Sequence, residues 1–134
     1  MNIIFLEMKR VLVDMSATLI HHGHIRLLKK ASKYGEVIVG LSSDKDIKKY
    51  KGYKPELSYK FRKEILLAIK YVNNVVCTNY HVTDKDINKF KIDLLIHGND
   101  FSNHLAKSKF IKIKRTEGIS SSKIRKRACN ILNN

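Results

Sequence analysis

Tryptophan is absent from this chain of 134 residues, proline occurs once, and cysteine twice. The two thiols, Cys77 and Cys129, form no CxxC pair. That pattern argues against a disulfide-stapled scaffold and fits a reducing, cytoplasmic setting. It also argues against a cysteine-based zinc site, which needs close ligand pairs. No apolar run approaches the roughly 18–20 residues that span a bilayer, so membrane insertion is not expected. Residues 1–7 are apolar but lack a basic leader and a small-residue cleavage site, so they do not read as a signal peptide. Met8, followed by Lys9-Arg10 and a strand pattern, reads as the native start, with residues 1–7 as an extension. Repeats, low-complexity tracts and a second domain are also missing, which leaves one domain with one core.

Acidic residues are scarce as well. Asp and Glu number 12 against 27 Lys and Arg, for a net charge of +15. Such a surface attracts phosphates and nucleic acid without specificity. The lysines are spread along the whole chain, as solvated faces are, and the densest block is residues 123–127. No recognition helix or aromatic RNA-binding signature is present, so a specific nucleic-acid partner is not expected. The positive field suits a small anionic substrate.

What is present is an alternation of short apolar runs and helical patterns. Residues 11–14, 36–41, 75–77, 92–96 and 110–113 read as buried strands. A helix follows residue 21, with Ile25, Leu27, Leu28 and Ala31 as its buried stripe and Gly35 as its stop. Residues 42–55 read as a loop with about one helical turn, closed by Gly52 and Pro55. Residues 58–71 read as a helix whose inner face carries Phe61, Ile65, Leu66, Ile69 and Val72. A short helix over 84–91 is capped by Asp84, and Ser120 caps a last helix to about 132. The fold class is therefore α/β: about five parallel strands with helices on both faces. In such sheets ligands bind beyond the carboxyl ends of the strands.

Two motifs fall at that edge. His21-His22-Gly23-His24 stands where the first strand meets its helix. His21 and His24 share one side of the first turn, and Gly23 between them lets a ligand approach the backbone. With the helix dipole, two imidazoles suit a phosphoryl group under attack. Helix capping and a metal site are the alternatives, although no nearby Asp, Glu or Cys completes a ligand set. The second motif, Arg115-Thr116-Glu117-Gly118-Ile119-Ser120-Ser121-Ser122, follows the fifth strand. A guanidinium and the amides of a helix end suit triphosphate oxygens.

Together with RKEILLAIKYVNNVV at 62–76 and KIDLLIHGND at 91–100, these segments resemble the HxGH nucleotidyltransferases, in particular the cytidylyltransferase family. The resemblance runs from about residue 8 to 125. It implies a single Rossmann-like domain over residues 1–134. It implies transfer of CMP from CTP to a small phosphorylated alcohol of the glycerol-3-phosphate kind, with release of pyrophosphate, in a homodimer that uses magnesium. A CTP-binding relative without catalysis, or one acting on choline phosphate, ethanolamine phosphate or a phosphonate, is the alternative. The family's pattern assigns His21, His24 and Arg115 to the reacting phosphates. It assigns Ser16, Gly23, Asp100, Thr116, Ser120 and Ser121 to the nucleotide, with Asp100 also toward magnesium. Lys51, Lys54, Arg62 and Lys70 are basic candidates for the acceptor or its phosphate. His22, His97, His104 and Glu117 are read as lying outside the chemistry. The chain departs from the family at Met15 and Thr18, where a glycine and an acid are usual, at Lys70 and Asn73, which replace an Arg and an Asp, and at Phe101. Asp14 lies four residues from Thr18 and is not expected to replace the missing acid.

Overall fold

The computed structural model describes residues 8–97 and 110–134. Five strands run in parallel: β1 (Arg10–Met15), β2 (Glu36–Ser42), β3 (Asn74–Thr78), β4 (Leu94–His97) and β5 (Phe110–Lys112). Their order across the sheet is β3-β2-β1-β4-β5. The helices are α1 (His22–Ala31), α2 (Asp44–Lys51), α3 (Tyr59–Leu67), α4 (Asp84–Lys89) and α5 (Ser121–Leu132).

Alternation along β1 explains why both faces are covered. Val11 and Val13 join one apolar cluster with Leu28 and Ala31 of α1 and Leu66 of α3. Leu12 joins the opposite cluster with Ile38, Leu95 and Ile87 of α4. A central strand buried on both sides has no position for a polar residue until its end, and β1 holds to this through Val13. Gly35 sets the register of β2. Its φ is +156°, and an added Cβ would lie 2.2 Å from the carbonyl oxygen of Lys9, which accepts the next amide, that of Glu36, at 2.8 Å.

Three local expectations are corrected. Residues 44–51 form two helical turns, because Ser43 caps Asp46 N and Gly52, in the left-handed region at φ +81°, closes the helix. The helix over 58–71 is shorter, and its inner face is rotated: Arg62 and Leu66 are buried, while Phe61 and Ile65 are 51% and 40% exposed. The arginine wins the inward position because a ring of carbonyls awaits it there. α4 is capped by Thr83 rather than Asp84, with Asp86 completing a capping box.

Candidate active site

A cavity of about 780 Å³ opens at the carboxyl edge of the sheet. It is lined from β1 and α1 by Ser16, His21, Gly23 and His24, from β5 onward by Arg115, Thr116, Ser120 and Ser121, and from α2 by Lys51. The two remote motifs thus converge on one space. Asp100 and its neighbours, with Phe101 and His104, lie outside the described residues.

The histidines serve as helix cap and cavity wall at once. His21 is the N-cap of α1, and its Nδ1 accepts from Gly23 N at 3.1 Å. His24 Nδ1 accepts in turn from His21 N, also at 3.1 Å. Each Nδ1 therefore carries a lone pair, and a neutral ring must hold its proton on Nε2. The rings lie 4.0 Å apart, centroid to centroid. Burial, the His21 ring, Lys51 and Arg115 together push His24 down to about 3. Burial and His22 lower His21. At neutral pH the pair is uncharged and presents N–H donors. Gly23 makes this possible: an added Cβ would meet the His21 ring at 2.8 Å and Ile119 at 3.3 Å.

The second motif is stapled to the first. Ser121 Oγ donates to Leu19 O at 2.9 Å and accepts from Leu19 N at 3.3 Å. Ser120 Oγ caps Lys123 N at 3.1 Å. Both hydroxyls are engaged within the fold, so α5 offers the cavity its amino end more than its serine side chains. Arg125, one turn further on, makes a two-pronged ion pair with Glu56 and donates to Thr18 Oγ1 at 3.2 Å. Its guanidinium also covers the Tyr53 ring, 4.4 Å from the centroid. This contact accounts for the departure at position 18. Thr18 is 1% exposed and supplies a neutral acceptor, while the charge is matched by Glu56, which the Arg125 hydrogen bond holds below the usual carboxylate range.

The remaining basic candidates divide. Lys51 lines the cavity; Lys54 and Lys70 do not. Lys70 lies in the α3–β3 connection, at the opposite edge of the sheet, beside the Tyr71 ring. Arg62 is wholly buried. It donates to the carbonyls of Ser16 (2.7 Å), Ser42 (3.0 Å) and Leu57 (3.0 Å) and to Asp44 Oδ1 (2.6 Å). A buried guanidinium needs such a set of acceptors. Arg62 therefore supports the loops after β1 and β2 from beneath rather than facing a ligand. Asn73 Oδ1 accepts from Val37 N at 2.9 Å, a tie within the sheet.

Sequence reasoning gave no site role to several polar lining residues, among them Asp14, Tyr80, His81 and His97 and the cations Arg26, Lys30 and Lys114. His97 was set outside the chemistry, yet its Nδ1 lies 2.5 Å from Asp14 Oδ1. The available signal was positional, since each of the two directly follows an apolar run at a strand's carboxyl end. Asp14 contacts His97, whereas Thr18 contacts Arg125.

A parallel sheet that sets two helix amino ends free of first-turn acids, neutral imidazole donors and cations around one cavity defines a site suited to a polyphosphate anion. The chain belongs to the cytidylyltransferase-like family, whose model matches residues 16–127. A glycerol-3-phosphate cytidylyltransferase of Staphylococcus aureus is 36% identical over 124 residues, 88% of this chain and 93% of that protein. The enzyme of the same name from Bacillus spizizenii is 37% identical over 129 residues, 89% of this chain and 96% of that protein. In fold, a crystal structure of the lipopolysaccharide core biosynthesis protein from Thermoplasma volcanium superposes with a TM-score of 0.73 at 22% identity, covering 83% of this chain and all of that one. Among the described residues no helix is long and apolar enough to cross a membrane.

Proposed function

We propose that the chain is a cytidylyltransferase that transfers CMP from CTP to a small phosphorylated alcohol, releasing pyrophosphate. The observation that carries this is the convergence of His21, His24 and Arg115 on one cavity, together with relatives of that activity matching nearly end to end. An acceptor phosphate oxygen attacks the α-phosphorus of CTP, a new P–O bond forms, and the bond to the β-phosphate oxygen breaks. His21 and His24 donate from Nε2 to the phosphoryl oxygens as charge builds there. Their neutrality matters. A fixed neutral donor stabilises developing charge without trapping the bound ground state as an imidazolium would. Arg115 and the amino end of α5 hold the triphosphate. Lys51, from the other side, draws in the acceptor's phosphate.

Magnesium bound with CTP would offset the charge that develops on the leaving pyrophosphate. Among the described residues no three His, Cys, Asp or Glu side chains converge on a metal position. Such an ion would be held by the substrate's phosphates, with Asp100, which lies outside the described residues, as its protein ligand. The protein assembles as a homodimer in the cytoplasm. Exposed Phe61 and Ile65, one turn apart on α3, supply an apolar contact face, and two exposed free thiols suit a reducing compartment. Light scattering that returns a monomer at micromolar concentration removes the dimer. For the reaction, the test is pyrophosphate release with magnesium, CTP and a panel of phosphorylated polyols, choline phosphate, ethanolamine phosphate and phosphonates. CTP-dependent release with at least one acceptor is expected; CTP binding with no release across the panel defeats the assignment.

A further inference from the structure

Asp14 and His97 form a pair that the transfer reaction leaves without a task. They lie near the carboxyl ends of the adjacent strands β1 and β4, one residue beyond the registered pair Val13 and Ile96. Strand order reverses between β1 and β4, so the pair marks the crevice at which open α/β sheets take ligands. Asp14 is 8% exposed. Its Oδ1 meets His97 Nδ1, and its other oxygen makes no hydrogen bond among the described residues.

The charge is what needs explaining. Among the described residues Asp14 is the only carboxylate lining the cavity, against the cations Arg26, Lys30, Lys51, Lys114 and Arg115. A carboxylate repels phosphate, and more strongly in a partly dry site than in open water. A cavity built for polyanions tolerates it only where the ligand presents hydrogen-bond donors instead of phosphate oxygens. An ammonium group would face repulsion from five cationic side chains; a neutral hydroxyl would not. Resting on the function proposed above, we infer that the Asp14–His97 pair is a hydroxyl-recognition subsite. Asp14 accepts from a substrate hydroxyl, and the His97 contact fixes the carboxylate's orientation. The hydroxyl belongs either to the ribose of CTP or to the carbon chain of the acceptor.

Preference ratios test this, because a general loss of activity cancels within each enzyme. One arm compares binding of CTP with 2′-deoxy-CTP and 3′-deoxy-CTP by calorimetry. The other compares kcat/KM for glycerol 3-phosphate and n-propyl phosphate. The intact chain should favour the hydroxyl-bearing partner roughly tenfold or more in one arm, because losing that hydroxyl leaves a buried acceptor unpaired. Asp14→Ala should bring that ratio to about one, and Asp14→Asn, the variant safer for folding, should lower it severalfold. The arm that responds names the source of the hydroxyl. Ratios unchanged by both substitutions overturn the inference. So does a raised magnesium requirement with unchanged ratios, which assigns the carboxylate to the metal. The nucleotide arm needs no turnover, so absent pyrophosphate release sinks the proposed reaction without deciding this subsite.

Discussion

The amino ends of α1 and α5 differ from those of α2 and α4 in what occupies them. α2 carries Asp44 and Asp46 in its first turn, and α4 carries Asp84 and Asp86. α1 and α5 carry no acid there, and both open on the cavity. A carboxylate in the first turn answers the positive end of the helix dipole from within the fold. Its absence leaves that end for an anion from outside. α3 shows that absence is not sufficient. It also has no acid in its first turn, yet buried Arg62 lies one turn in and the helix contributes nothing to the cavity lining. What singles out α1 and α5 is an unanswered dipole end set beside neutral donors and an open space.

The largest effect should come from removing the donors. His24→Ala is expected to lower kcat by roughly 100-fold or more, since it removes a contact that strengthens in the transition state. CTP affinity should change far less. Steady-state kinetics beside calorimetric CTP binding checks both, and an unchanged kcat removes His24 from the chemistry. The next prediction inverts the helix comparison itself. Ser122 opens on the cavity and is exposed. Ser122→Asp gives α5 the acid that α2 and α4 have. It should raise Tm slightly, by the dipole effect of about 0.3–1 kcal/mol, while weakening CTP binding by roughly three- to tenfold. If both quantities move in the same direction, the end of α5 is not where the triphosphate sits.

The same contrast explains how much was legible in the sequence. A first-turn acid, a serine cap and a strand's apolar run are local, so the helix ends, the sheet and the motifs His21–His24 and Arg115–Ser122 read directly. Arg62 did not. A basic residue at a helix start looks like a solvated ligand until the carbonyls of Ser16 and Ser42, 46 and 20 residues away, are seen to converge on it. Asp14 and His97 were hidden for a related reason, being 83 residues apart and joined only by strand register. Thr18 looked like a lost charge because its compensation, Arg125 with Glu56, comes from two other segments. Long-range pairing is the part that a linear pattern cannot carry.

A smaller effect is expected on the α2 side of the cavity. Lys51→Ala should raise the acceptor's KM by several-fold to about tenfold and leave the CTP dissociation constant nearly unchanged. Equal losses for both substrates would place Lys51 on the triphosphate and merge two regions that are here kept apart.

The smallest effect concerns stability and follows from the neutrality of His24. Its folded value, about 3, lies below the ordinary 6.5, chiefly through burial. Between those limits the unfolded chain binds a proton that the folded chain refuses, so the folded state loses stability as pH falls. The contribution is whole above about pH 6.5 and erodes below it, by at most about 1.4 kcal/mol per pH unit and by less where solvent screens the ring. Urea unfolding of the intact chain and of His24→Asn, at pH 7.5 and 5.5, isolates it, because the shifts at Glu56 and His21 are common to both proteins. The variant should lose about 1 kcal/mol less than the intact chain over that interval. Saturating CTP should shrink the difference, since a triphosphate beside the ring favours its protonated form and raises its folded value toward 6.5. Equal losses with and without the ring would mean that His24 is not buried as a neutral donor, and the comparison between open and acid-filled helix ends would lose its catalytic half.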